Sequence, residues 1–194
     1  MQSAYDLGVH FAAGRGVPKD DVKAVQWFQK AADQDLPQAE ASLGAAYLTG
    51  QGIAKGEASA EYWNRKAADH GDARAQCNLG LQYEKGLGIT KDVVLAAAWY
   101  RKAADQGLAQ AQNNLGVAYV NGRGVEKSDA LGAIWLRKAA DQGLVEAEFT
   151  LGVMYEVGRG VPPDRTLAVH WYRLAADHGS APARKSLERL HANG

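Results

Sequence analysis

A pattern that returns every 36 residues constrains this chain more than any other feature. Leu-Gly with an aromatic three positions past the glycine occurs at Leu7-Gly8/Phe11, Leu43-Gly44/Tyr47, Leu79-Gly80/Tyr83, Leu115-Gly116/Tyr119 and Leu151-Gly152/Tyr155. Trp27, Trp63, Trp99, Trp135 and Trp171 keep the same step, as do the Ala-Ala pairs that begin at Ala31, Ala67, Ala103, Ala139 and Ala175. Five copies in phase cannot be one irregular domain; a period of this size is the mark of stacked supersecondary units.

Each copy reads as two helices. From Ala111 to Asn121, apolar residues recur as Ala111, Leu115, Ala118 and Tyr119, one face of a 3.6-residue helix. A glycine beside the leucine costs ~1 kcal/mol of helix propensity, so its five-fold return predicts a close helix–helix approach. Gly-x-Gly pairs such as Gly122/Gly124 then end the helix through a left-handed residue. The second helix is expected to start at Asp20, Gly56, Asp92, Ser128 and Asp164, all N-cap types. It should stop near Gly71, Gly107, Gly143 and Gly179, with Asp35 adopting the same conformation in the first copy. The tryptophans are expected in the core, and Trp99→Ala to cost ~3–5 kcal/mol. The fold class is therefore all-α: five 36-residue helix pairs (1–36, 37–72, 73–108, 109–144, 145–180) and a polar capping helix over 181–193, forming one repeat domain, 1–194. The first copy has no shield on its outer face, which invites self-association through this N-terminal unit.

Charge disfavours one class of partner. Lys+Arg and Asp+Glu are 22 each, and no block of like charges offers an arm for phosphates. A basic ladder (Arg65-Lys66, Arg101-Lys102, Arg137-Lys138) repeats, but Asp69, Asp105 and Asp141 follow each arginine by four residues and neutralise it locally. Nucleic acid is not an expected partner. Those last-turn aspartates, with Asp33 and Asp177, oppose the helix dipole, so their carboxylates are expected to accept hydrogen bonds from the start of the next helix.

The chemistry of sites is sparse. Cys77 is the lone cysteine, so no internal disulfide forms and no thiolate metal site is complete. His70 and His178 are equivalent positions three copies apart, too distant to share an ion, and read as surface residues. Neither a P-loop, a Gly-x-Ser-x-Gly elbow nor a His-Glu-x-x-His motif is present; no cofactor, no metal and no enzyme activity are expected. No run of residues is long and apolar enough to cross a bilayer. As written, the chain is expected in the cytoplasm, or in the periplasm or outside the cell if a leader precedes it.

The segment Ala111 to Tyr119, then Gly122-Arg123-Gly124-Val125, then Trp135 to Gly143, resembles the Sel-1-like repeat family, a branch of the tetratricopeptide-like helical solenoids. The resemblance covers the whole chain. It implies a right-handed superhelix and an adaptor that binds another protein or peptide, often in bacterial signalling, envelope or secretion settings. It also implies that first helices line a concave groove. The positions that face away from the Leu-Gly-aromatic stripe there are Arg74, Cys77, Asn78, Leu81, Lys85, Asn113, Asn114, Val117, Asn121, Phe149 and Val153. This surface is more apolar than charged and suits an apolar-faced peptide or helix. The alternatives are a structural spacer and a self-associating assembly module, with nucleic-acid binding and catalysis as remote ones. Asn64, where other copies carry Phe28, Tyr100, Leu136 and Tyr172, and the weak cap Gly56 predict that the second repeat opens first.

Overall fold

In a computed structural model, residues 2–192 are described, and among them lie eleven helices and no strand. First helices of the repeats are α1 (Gln2–Ala13), α3 (Pro37–Thr49), α5 (Ala73–Lys85), α7 (Ala109–Asn121) and α9 (Val145–Val157). Second helices are α2 (Asp21–Ala32), α4 (Glu57–Asp69), α6 (Val93–Asp105), α8 (Asp129–Ala140) and α10 (Arg165–Asp177). The last helix is α11 (Ala181–Ala192); Asn193, expected at its end, lies outside the described residues. Contacts group these helices into two compact units, residues 1–103 and 104–194.

The ends form as the residue types dictate. The Asp20, Ser128 and Asp164 side chains accept from the backbone N–H groups of Lys23, Leu131 and Leu167, and Asp92 Oδ1 accepts from Val94 and Leu95. Gly56 caps α4 with no side-chain bond. Gly50, Gly86, Gly122 and Gly158 close the first helices in left-handed geometry, and Asp35 takes φ 56°, the sole positive-φ non-glycine among the described residues. The second glycine of the pair meets a different demand. A Cβ on Gly160 would collide with the carbonyl of Asp129, in the first turn of the preceding repeat's second helix, and Gly52 stands in the same relation to Asp21.

Leu43 in the first unit packs with Ala31 and Ala39, and Leu151 in the second with Ala139 and Ala147; Leu79 and Leu115 are buried to the same degree, as are Ala67, Ala75 and Ala111. Small residues on both helices let the backbones approach, and the leucine fills the seam.

Two expectations are corrected. Trp135 and Trp171 are buried, but Trp27, Trp63 and Trp99 are only half-buried. The deep position is the next residue: Phe28, Asn64, Tyr100, Leu136 and Tyr172 are all buried, because its side chain enters the gap that the Leu-Gly glycine leaves in the same repeat. The last-turn aspartates Asp33, Asp69, Asp105, Asp141 and Asp177 are all exposed. Asp33 accepts from Gln29, and Asp141 pairs with Arg137 on its own helix. The following helices start without them: Leu36, Leu108 and Leu144 form N-caps with no side-chain bond, and Asp72 and Ser180 cap their own helices.

Candidate functional site

In the first unit, Arg74, Asn78, Leu81 and Lys85 recur at helical spacing along one stripe of α5, opposite buried Leu79 and Gly80. Arg74 and Lys85 are exposed, Asn78 and Leu81 half-buried. Cys77 turns inward and is buried. Asn78 is tied down: its Nδ2 donates to Asn64 Oδ1 at 3.4 Å, and Asn64 Nδ2 donates to Gln82 Oε1 at 2.9 Å. Asn64, fully buried, thus gains partners from α5 where the other repeats use an apolar or phenolic side chain.

In the second unit, Asn114, Val117 and Asn121 share a stripe of α7, the first two half-buried and Asn121 exposed. Asn113 is buried, with its Oδ1 lacking a hydrogen-bond partner. On α9, Phe149 and Val153 are half-buried; the Phe149 ring packs 5.8 Å from that of Tyr172. Val117 rests on the cluster that contains Leu136 and Met154, and Val153 on the one that contains Tyr172 and Ala183. The predicted residues therefore divide: Cys77 and Asn113 belong to the interior, and the other nine reach solvent.

The basic ladder serves the fold. Lys30, Lys102 and Lys138 place Nζ 4.1, 3.8 and 4.1 Å from the ring centres of Trp27, Trp99 and Trp135, three residues before them; Lys66 lies 5.6 Å from that of Trp63. These are cation–π contacts, on half-exposed rings at Trp27, Trp63 and Trp99 and on a buried one at Trp135. Arg65 Nη2 donates to Tyr83 Oη at 2.8 Å in the next repeat, and the Arg137 guanidinium lies 4.8 Å from the ring centre of Trp171. The Asp141 carboxylate holds Arg137 charged, above its ordinary range. Sequence reasoning missed this pairing, although the constant Trp-to-Lys spacing of three, one turn of helix, was its signal.

Two buried carboxylates were also missed. Glu40 has no exposed surface and meets Lys66 Nζ at 3.0 Å and His70 Nδ1 at 3.0 Å; Glu148, 108 residues later, is 1% exposed and meets His178 Nδ1 at 2.9 Å. Asp35 first, and then Glu40, keep Lys66 protonated far above the usual lysine range. In the fourth repeat the equivalent residues are Gln112 and Gln142, joined at 2.8 Å. An acid thus faces a basic ring, an amide faces an amide, and the histidines are partners of the core with a half-exposed edge. Among the described residues no group of three or more His, Cys, Asp or Glu is placed to hold a metal ion.

Fold and surface together define a class: a tandem-repeat protein of helix pairs, with variable residues on first-helix stripes. The Sel1 repeat model matches five consecutive segments, 2–36, 37–72, 73–108, 109–144 and 145–180, and the chain belongs to the Sel1 repeat family. Two solved structures are similar over almost the whole chain. A Sel1 repeat protein from Oxalobacter formigenes is 35% identical, with a TM-score of 0.91 over 98% of this chain and 78% of its own. A protective antigen present in uropathogenic Escherichia coli strains, displaying an SLR fold, is 39% identical, with a TM-score of 0.86 over 97% of this chain. This chain spans 40% of that antigen's length. An immunity protein from Pseudomonas aeruginosa shares the fold at 23% identity, with a TM-score of 0.64 over 94% of this chain and 67% of its own. No curated protein sequence matches the chain. The fold class is the all-α Sel1 repeat solenoid, and proteins of this family are generally protein-interaction scaffolds. No described helix is long and apolar enough to cross a membrane.

Proposed function

We infer that this chain is a binding module that takes an apolar-faced peptide or helix of another protein on the solvent-reaching stripes of its first helices. The observation that carries the reading is the half-burial of Val117 and Val153 in the second unit, with Asn114 and Asn121 on the same face of α7 as Val117. Apolar positions left half open and flanked by amides offer both of the things an amphipathic helix needs, a nonpolar seat and hydrogen bonds at its margin. Leu81, flanked by Asn78, Arg74 and Lys85, repeats the arrangement on α5. The ladder of cations is already occupied by tryptophans and tyrosines, which favours a protein partner over a phosphate backbone.

The test is Val117→Lys together with Val153→Lys, since lysine can run its stem along the surface and keep the helix. Binding of the native partner should fall at least tenfold with helicity unchanged. Unchanged binding overturns this reading and moves the site to the other face of the helices or to an end of the chain.

A further inference from the structure

A cavity of about 200 Å³ opens between α1, α2 and α3 in the first unit, walled by Ala12, Phe28, Ala45 and Ala46. Its origin lies in two small residues together, Ala12 and Ala46, a pair that no other two neighbouring repeats leave small at both places. The residue equivalent to Ala46 is Gln82 in the third repeat, fully buried and bonded to Asn64 and to the carbonyl of Leu87. In the fifth it is Met154, 2% exposed and clustered with Val120, which is the equivalent of Ala12. Around Tyr172 the same space holds Glu156, again the equivalent of Ala12, whose carboxylate accepts from Tyr172 at 2.7 Å and from Arg189 at 2.8 Å. Only the site bounded by Ala12 and Ala46 contracts at both positions, and nothing from a neighbouring repeat enters to compensate.

The lining is apolar in effect. Ser42 and Thr49 also border the cavity, but their hydroxyls donate to the carbonyls of Gln38 and Ala45 on their own helix, at 2.8 and 2.9 Å. One polar pair marks the rim: Gln51 Nε2 donates to Asp21 Oδ1 at 3.0 Å. The nearest cation to that carboxylate, Lys19, stands 3.6 Å from Oδ2 with 59% of its side chain exposed, a loose surface pair that a ligand can displace. Lys23, the other base nearby, is engaged by Asp20 at 3.2 Å.

We propose that this cavity is a pocket for one aromatic or branched apolar side chain of a partner peptide, with an adjacent basic residue of that peptide meeting Asp21. Volume sets the apolar part: an apolar void of about 150 Å³ admits a benzene ring, so this one takes one or two fused rings. The lone carboxylate on an otherwise neutral rim sets the sign of the neighbour. The peptide rests on the reading of the chain as a binding module. The pocket does not, because it is tested with free probes.

Tryptamine and indole-3-propionate carry the same ring with opposite charge. Titrated into the full chain with methyl-labelled alanine and valine, tryptamine should shift Ala12, Val25, Ala45 and Ala46 saturably, and indole-3-propionate should bind about tenfold more weakly. Ala46→Met, which restores the fifth repeat's residue, should abolish the shifts; Ala12→Val, which restores the fourth's, is the second filler, and helicity by circular dichroism checks both. The acetylated, amidated dipeptide Lys-Trp should displace tryptamine where Glu-Trp does not. Absence of saturable shifts up to the solubility of tryptamine, or shifts that persist in both filled variants, overturns the pocket. Tryptamine binding with no displacement by Lys-Trp overturns the peptide side chain as its occupant. Loss of function in the Val117/Val153 test leaves each of these outcomes where it stands.

Discussion

Gly80 and Tyr100 occupy the space of one side chain. A Cβ built on Gly80 would lie 2.7 Å from both Cδ1 and Cε1 of the tyrosine ring, and Gly152 stands in the same relation to Tyr172. The glycine that weakens the helix is what admits the ring that holds the repeat together.

Gly80→Ala should therefore destabilise the chain by ~1–3 kcal/mol, although alanine gains ~1 kcal/mol in helix propensity, because the ring is 2% exposed and has nowhere to retreat. Urea unfolding followed by circular dichroism reads the sign directly.

The tryptophans should separate by burial. Trp171→Ala, at a side chain 3% exposed and packed in the cluster with Leu136 and Met154, is expected to cost ~3–5 kcal/mol. Trp99→Ala removes a half-exposed ring and its contact with Lys102, and should cost less, ~1–2 kcal/mol, from partial burial and one surface cation–π contact. Thermal melts of the two variants side by side check the order.

Glu148 and His178 form one exchangeable pair. Glu148→Gln alone and His178→Gln alone should each destabilise, since each leaves a buried group short of its partner. The double change installs the Gln112–Gln142 arrangement of the fourth repeat and should recover most of the loss. A double-mutant cycle is expected to return a coupling of ~1–2 kcal/mol.

Tyr100 gives the alkaline edge. Burial first, and then the Glu84 carboxylate that accepts its hydroxyl at 2.9 Å, raise its ionisation above the usual tyrosine range. The fold holds this proton more tightly than the unfolded chain does. Its contribution is whole below about pH 10 and is lost as pH rises past the unfolded value. Tyr100→Phe, the kind of residue that Phe28 supplies in the first repeat, should cost ~1–2 kcal/mol at pH 7 from the lost bond to a charged acceptor. It should also flatten the fall in stability between about pH 10 and 12. Unfolding at a series of pH values tests both parts.

What a single sequence reveals here follows from the period. Residues that obey it, such as Leu79, Gly80 and the caps Asp20 and Asp164, announced their roles because local geometry demands one residue type at one helical position. The depth of Tyr100 against the exposure of Trp99 did not, since two adjacent aromatics lie about 100° apart on the helix and the pattern alone does not say which faces inward. The exceptions were harder still. Asn64 and Gln82 satisfy each other across a repeat boundary, and Glu40 and His70 between α3 and the end of α4 within one repeat, so each looks like a defect until its neighbour is placed beside it. The signal was present: Glu40, Gln76, Gln112 and Glu148 change type in step with His70, Gln106, Gln142 and His178. In the second repeat, expected to open first at Asn64, that amide is bonded to Gln82 and Asn78 of α5. The candidate stripe was legible to the level of the helix face; that Cys77 and Asn113 turn inward came from packing.

The most direct test of the chain as a binding module is site-specific photo-crosslinking with benzoylphenylalanine in place of Val117 on α7 or of Ile134, 52% exposed on α8. With the native partner present, the account predicts an adduct from position 117 and none from position 134. An adduct from position 134 alone would contradict it.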